Sequence, residues 1–141
     1  MNQTEKPNLE LPQVFSGTVV HGKGRGHKEL GFPTANLSSE SWTVKLTKND
    51  FGVYAGIVNV LDEKPRIGII SIGENPTFND MTHPTFEVHI LDFDADIYGE
   101  IMKVTITNYL RPMISFKSLQ DLINAITNDG LQARQLLSNQ I

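Results

Sequence analysis

Apolar and polar residues alternate, or apolar residues form short runs bounded by turn residues, over most of the chain after residue 14. Such patterns indicate β-strands, because successive side chains of a strand point to opposite faces of a sheet. The pattern predicts five strands: 15–21, 53–60, 66–72, 86–91 and 101–109. Little periodicity is present in residues 37–51, which predicts a loop between the first two strands.

One segment has the periodicity of an amphipathic helix, residues 118–137. Leu119, Leu122 and Ile126 recur there at helical spacing, and Ser118 is placed as an N-cap. Gly130 is expected to break or kink this helix. Five strands with short connections, followed by one amphipathic helix, predict a mainly β protein: a small antiparallel barrel, closed or nearly closed, with the helix packed on its outside.

Composition narrows the class of protein. Residues 1–13 are polar and contain two prolines, which predicts a flexible leader before a single domain over residues 14–141. The chain has no cysteine, which suits a reducing cytoplasm, and it has no signal-peptide core and no membrane-length apolar run. A formal net charge of −4 argues against an extended nucleic-acid surface but not against a single nucleotide. We therefore expect a cytoplasmic, monomeric protein.

The segment GKGRGHKELGFPTANL, residues 22–37, is the strongest candidate for chemistry. Its glycines allow backbone N–H groups to approach an anion, and its cations add positive charge. Thr34 and Asn36 offer two neutral oxygen ligands, which hold Mg²⁺ only if nucleotide phosphates supply the negative charge. The alternatives are a solvated charged loop and, for Thr34 and Asn36, hydrogen bonds within their own turn.

Glu87 lies in the predicted strand TFEVHIL, where Phe86, Val88 and Ile90 share one face and Glu87 and His89 share the other. The second face is not core. Taken alone, Glu87 is a surface charge or the acid of a pocket covered by loops and helix.

Several segments together resemble the riboflavin kinases: GKGRGHKELGFPTANL, SIGENPTF, TFEVHILDF, DIYGE and YLRP occur in that family's order over residues 15–129. The resemblance implies a six-stranded Greek-key barrel. It also implies transfer of the ATP γ-phosphate to the 5′-hydroxyl of riboflavin, giving FMN and ADP, with Mg²⁺ or another divalent ion such as Zn²⁺ or Mn²⁺.

The resemblance assigns roles to individual residues. Glu87 matches the family's general base. The predicted ATP-binding set is Gly22, Gly24, Arg25, Gly26, Lys28, Gly31, Pro33, Thr34, Asn36, Ile90, Asp92 and Tyr98. The predicted flavin contacts are Arg111, Ile114 and Phe116, although Arg111 also suits a strand-end salt bridge and Phe116 a contact between helix and barrel. The sequence Met113-Ile114-Ser115 is more apolar than the family pattern.

Two other functions remain open at this point. A non-catalytic flavin- or nucleotide-binding barrel would keep the pocket without turnover, and substitution of Thr34, Asn36 or Glu87 would have favoured it. An oligonucleotide-binding barrel should show a basic face with interleaved aromatic residues, which this sequence lacks. No adenylyltransferase motif accompanies the predicted domain, so we expect FMN rather than FAD as the product.

Overall fold

The computed structural model describes residue 7 and residues 9–21, 33–38, 45–75 and 80–141. The strands are β1 (Gln13–Val20), β2 (Ala35–Leu37), β3 (Gly52–Val60), β4 (Arg66–Asn75), β5 (Asp80–Ile90) and β6 (Ile101–Arg111). They are followed by helix α1 (Leu119–Leu137), and short 3-10 turns occupy Lys48–Asp50 and Ser138–Gln140. No helix in these described parts is long and apolar enough to cross a membrane.

The six strands close into an antiparallel barrel in the order β1-β2-β5-β4-β3-β6. β3, β4 and β5 form a meander, and β6 returns to pair with β3 on one side and β1 on the other. This arrangement is a Greek key, in which the fourth strand lies beside the first of the preceding three. The predicted barrel architecture is confirmed.

The inner face of the barrel holds the main core, as the alternation predicts. Phe86, Val88 and Ile90 are 2%, 1% and 5% exposed, and the Phe15 and Phe86 rings lie 5.1 Å apart. Tyr54 is fully buried in the same cluster. Its burial, with the nearby Asp50 carboxylate as a second cause, raises the pKa of the Tyr54 hydroxyl, which donates a hydrogen bond to the Asp50 carbonyl.

Helix α1 covers the outer face of β3 and β4 and forms a second apolar layer. Val53 and Ile69 of the sheet share this layer with Ala133 and Leu137 of the helix. The helix begins where the sequence predicts, because the Ser118 hydroxyl accepts a hydrogen bond from the Asp121 N–H at 3.1 Å.

The expected break at Gly130 is wrong, since α1 continues through it to Leu137. A glycine costs a helix about 1 kcal/mol relative to alanine. Burial of Ala133 and Leu137 beyond it outweighs that cost, because burying one leucine side chain contributes about 1.5–3 kcal/mol.

One strand was absent from the sequence prediction, and two others are longer than predicted by three or more residues. β2 was missed because three residues are too few to show a period of two. The predicted strand 66–72 continues to Asn75, into the segment SIGENPTF. β5 begins at Asp80 rather than at residue 86.

The predicted leader also ends earlier than residue 13. Leu9 and Leu11 pack against the barrel core and Gln13 pairs with Ile106, because docking removes apolar surface of the two leucines from water. Residues 1–6 and 8 lie outside the described parts of the chain.

A pair of Gly→Ala substitutions tests this packing. A Cβ at Gly56 would stand 2.5 Å from the Thr105 carbonyl oxygen of β6, so we expect Gly56→Ala to lower the free energy of unfolding by about 1–3 kcal/mol. At Gly130 the nearest atom to an added Cβ is Leu91 Cδ2 at 3.8 Å, an ordinary contact. We expect Gly130→Ala to raise the same free energy by up to about 1 kcal/mol. Equilibrium urea unfolding measures both changes. If the two substitutions changed the free energy of unfolding in the same direction, this account of the two positions would be contradicted.

Candidate active site

One row of cross-strand partners runs around the outer face of the barrel. Asn36 pairs with Glu87, Glu87 with Ser71, Ser71 with Val53, and Val53 with Arg111. Directly opposite residues of antiparallel strands point to the same face. We call these five residues the outer row. We also call residues 33–36, whose sequence is PTAN and which lead into β2, the PTAN turn; the outer row joins it to the end of β6.

Arg111 reaches the outer row through a β-bulge. Tyr54 pairs with Tyr109 but Val53 pairs with Arg111, so Leu110 is the extra residue of β6. Without the bulge, a period of two would place Arg111 on the same face as Tyr109, whose ring contacts the Tyr54 ring at 5.4 Å. The bulge turns the guanidinium toward α1 instead.

A cavity of about 440 Å³ lies between the outer row, helix α1 and the segment after β6; we call it the helix cavity. It brings together Glu87, Arg111, Ile114 and Phe116, which the sequence assigned to the base and to the flavin, and it also includes Thr34. Its remaining lining residues are Val53, Ile69, Ser71, His89, Met113, Ser115, Leu122, Ile126 and Asp129.

Asp129 was not predicted as a site residue, although it anchors Arg111 at this cavity. The Arg111 Nε and Nη2 atoms donate to the two Asp129 carboxylate oxygens, both at 2.8 Å, and the Asp129 side chain is 3% exposed. The Arg111 guanidinium carbon also lies 5.6 Å from the centre of the Phe116 ring. A sequence signal existed, because Asp129 lies three residues after Ile126 and four before Ala133, on the apolar face of the helix.

Ser71 was the second omission. It is half-buried, lines the helix cavity and lies next to Glu87 in the outer row. Its segment, SIGENPTF, contributed to the family resemblance, but the sequence assigned no role to Ser71 itself.

A second cavity, of about 530 Å³, lies between β1, β2 and residues 93–98; we call it the loop cavity. Pro33, Thr34, Asn36, Ile90 and Tyr98 of the predicted nucleotide set line it. The His21 ring stacks on Tyr98 at 3.7 Å between centroids. Besides His21, the nine further lining residues are apolar or acidic: Val19, Val20, Ala35, Val88, Phe93, Asp94, Ala95, Asp96 and Ile97.

Asp92 does not line the loop cavity, although the sequence assigned it to the nucleotide. Its carboxylate accepts hydrogen bonds from Arg134 of helix α1 at 2.8 and 3.1 Å. These bonds from Arg134 are the main reason that the pKa of Asp92 is lowered. The predicted contacts Gly22, Gly24, Arg25, Gly26, Lys28 and Gly31 lie outside the described residues.

Thr34 lines both cavities, so the two sites adjoin at this residue. The preceding carbonyl, that of Pro33, lies 3.0 Å from His89 Nδ1 across the sheet.

The donor atoms at this junction fit a hard cation that arrives with a nucleotide. Among the described residues, no three His, Asp or Glu side chains converge to hold a metal ion. The side chains of Thr34 and Asn36 provide two neutral oxygen atoms as candidate ligands. Glu87, the cross-strand partner of Asn36, adds a carboxylate nearby. Mg²⁺ prefers oxygen ligands and usually binds through one or two protein groups together with substrate phosphates.

Comparison with known proteins agrees with this architecture. The family model described as Flavokinase: Riboflavin kinase matches residues 9–137. Riboflavin kinase from Homo sapiens is 40% identical over 128 residues, which are 90% of this chain and 82% of the human protein. The bifunctional riboflavin kinase/FMN phosphatase of Arabidopsis thaliana is 39% identical over 89% of this chain, which spans 33% of that protein.

Solved structures show the same barrel. Riboflavin kinase from Trypanosoma brucei superposes with a TM-score of 0.63 at 27% identity, over 90% of this chain and 78% of that one. A structure described as a macrolide-efflux protein from Streptococcus pneumoniae superposes with a TM-score of 0.73 at 33% identity, over 87% of this chain and 38% of that one. Fold and site thus define a small Greek-key barrel with two adjoining cavities. The chain belongs to the riboflavin kinase family.

Proposed function

We propose that the outer row and its two cavities carry out the ATP-dependent phosphorylation of riboflavin to FMN, with Glu87 as the general base. Membership of the riboflavin kinase family supports the overall reaction. The residue roles that follow are those that the resemblance to this family implies, and the arrangement of these residues in this chain supports them.

One observation carries the assignment: Thr34 lines both cavities while Glu87 lines only the helix cavity. ATP in the loop cavity, with its base near Tyr98 and its phosphates toward Thr34, directs the γ-phosphate at the helix cavity. Riboflavin in the helix cavity presents its 5′-hydroxyl to the same point. The reaction then requires little movement of either substrate, which is the main contribution that a protein makes to phosphoryl transfer.

Glu87 is placed to accept the proton of the 5′-hydroxyl. As that oxygen forms its bond to the γ-phosphorus, the bond from the γ-phosphorus to the bridging oxygen breaks and ADP leaves with the electron pair. The proton moves to the Glu87 carboxylate, which must lie within hydrogen-bond reach of the hydroxyl. Ser71, the neighbour of Glu87 in the outer row, has a hydroxyl on the same face to orient the carboxylate or the ribityl chain.

Thr34 and Asn36 would hold Mg²⁺ together with the ATP phosphates. When bound, the ion neutralises charge that develops on the phosphate oxygens. Since both protein ligands are neutral, the metal is expected to bind weakly without nucleotide.

Arg111, Ile114 and Phe116 are assigned to the flavin. Arg111 Nε and Nη2 donate to Asp129, and Nη1 donates to the Pro112 carbonyl at 3.3 Å. These bonds hold the guanidinium in place at the wall of the helix cavity. Exposed Ile114 and half-buried Phe116 offer apolar surface for the isoalloxazine ring.

We further propose that the enzyme acts in the cytoplasm as a monomer. A chain without cysteine suits a reducing compartment such as the cytoplasm. FMN, rather than FAD, is the proposed product.

Chromatographic detection of FMN after incubation with riboflavin, ATP and Mg²⁺ tests the proposal. We expect FMN to form with Mg²⁺, to fall to background with excess chelator, and to return when Mg²⁺ is restored. Parallel reactions with Mn²⁺ and Zn²⁺ identify the preferred ion. Riboflavin binding without FMN formation under any of these ions would contradict the proposal and favour a non-catalytic flavin-binding module.

A further inference from the structure

His89 is a polar group of the helix cavity that the reaction as described does not use. It lies on β5 two residues after Glu87, on the same outer face, and it is half-buried. In the register that pairs Asn36 with Glu87 and Ala35 with Val88, the next residue of the PTAN turn opposite His89 is Thr34.

The hydrogen bond between His89 and the PTAN turn has a defined direction. His89 Nδ1 lies 3.0 Å from the Pro33 carbonyl oxygen, which can only accept. The proton of this bond is therefore on Nδ1, which fixes the tautomer of a neutral ring. Pro33 has no N–H, so its carbonyl is its only backbone group that can form a hydrogen bond to the sheet. A bond to this carbonyl orients the peptide that joins Pro33 to Thr34.

We propose that His89 is a positioning residue, which holds the Pro33–Thr34 peptide so that the Thr34 hydroxyl stands at the junction of the two cavities. This inference rests on the proposed role of Thr34 as a ligand of the metal–nucleotide unit. His89 itself need not touch ATP, because it does not line the loop cavity. Outer partners of this kind typically change metal affinity or activity by about 10–100-fold when removed.

Affinity for Mg·ADP, measured by titration calorimetry, provides a readout that is independent of turnover. His89→Leu replaces the ring by an apolar side chain of similar bulk and so removes the donor, and we expect it to weaken Mg·ADP binding by about tenfold. His89→Asn restores a donor near the position of Nδ1, and we expect it to recover most of that affinity. A loss with His89→Leu that His89→Asn does not recover would overturn the role of this hydrogen bond, as would no loss at all.

A double-mutant cycle with Thr34→Ala asks whether His89 acts through Thr34. Residues that act through one another have non-additive effects. We therefore expect His89→Leu to cost little further affinity once Thr34 is alanine. The full tenfold loss in the Thr34→Ala background would overturn the inference while leaving the proposed function intact. Thr34→Ala with unchanged Mg·ADP affinity would instead refute the proposed role of Thr34 itself.

His89→Gln replaces His89→Leu in the cycle if the leucine variant does not fold. Its amide is one methylene further from the backbone than that of asparagine, so its donor cannot reproduce the position of Nδ1. We expect a loss similar to that with leucine, and full affinity with His89→Gln would contradict the geometry.

Discussion

Glu87→Gln is expected to lower kcat for FMN formation by about 10²–10⁴-fold, the usual contribution of a positioned general base. Glutamine keeps the size of the side chain and the register with Asn36 and Ser71, but its amide does not accept the proton of the 5′-hydroxyl. The rate of FMN formation at saturating riboflavin and ATP measures the effect. The KM values should change far less than kcat, because the lost interaction matters mainly in the transition state.

Glu10→Gln is the matched control for this variant. Glu10 is exposed before β1 and lines neither cavity, so removal of its charge should leave the rate unchanged. Riboflavin titrations monitored by flavin fluorescence establish that the Glu87→Gln variant still binds substrate. Similar rates for the parent protein and Glu87→Gln would keep the reaction and remove Glu87 from the role of base.

Asp129→Ala is expected to lower the free energy of unfolding by about 3 kcal/mol, because it leaves a partly buried guanidinium without its partner. Removing one partner of a buried ion pair typically costs about 3–5 kcal/mol. We expect the lower value here, because the Arg111 side chain is 23% exposed to water. Equilibrium urea unfolding measures the loss. Riboflavin affinity should fall as well, because Arg111 is no longer held at the helix cavity.

Two further variants separate the lost pair from a general helix effect. Asn128→Ala changes the exposed neighbour of Asp129 and should alter stability by less than about 0.5 kcal/mol. The double variant Arg111→Met, Asp129→Leu replaces both charges by apolar groups and should regain much of the stability, since such replacements of buried pairs are often neutral. It should not regain riboflavin affinity if Arg111 contacts the flavin. A double variant as unstable as Asp129→Ala would show that the unpaired charge is not the cause.

Local patterns predicted the elements that follow a regular period. The alternation in β5 gave the correct inner face, with Phe86, Val88 and Ile90 buried and Glu87 turned outward. Ser118 correctly marked the start of helix α1. β2 escaped detection because a three-residue strand is held by its neighbours β1 and β5 rather than by its own periodicity.

Long-range pairing decided the other differences. Gly130 does not end α1, because the barrel surface buries residues on both sides of it. The bulge at Leu110 reverses the face on which Arg111 would fall by simple alternation, and no local signal in YLRP indicates this. Asp92 pairs with Arg134, 42 residues later in the chain, instead of lining the loop cavity.

Short patterns and motifs in the sequence were enough to predict the class of fold, the inner face of the barrel and the candidate groups Thr34, Asn36 and Glu87. Tertiary contacts were needed to show that Asn36, Glu87, Ser71, Val53 and Arg111 form one row and that Thr34 lines two cavities. The same holds for the hydrogen bonds of Asp129 to Arg111 and of His89 to the Pro33 carbonyl. The physical reason is that strand register, barrel closure and helix docking bring together residues far apart in the chain. Such pairings are fixed by the packing of the whole domain, so no single segment of the sequence specifies them.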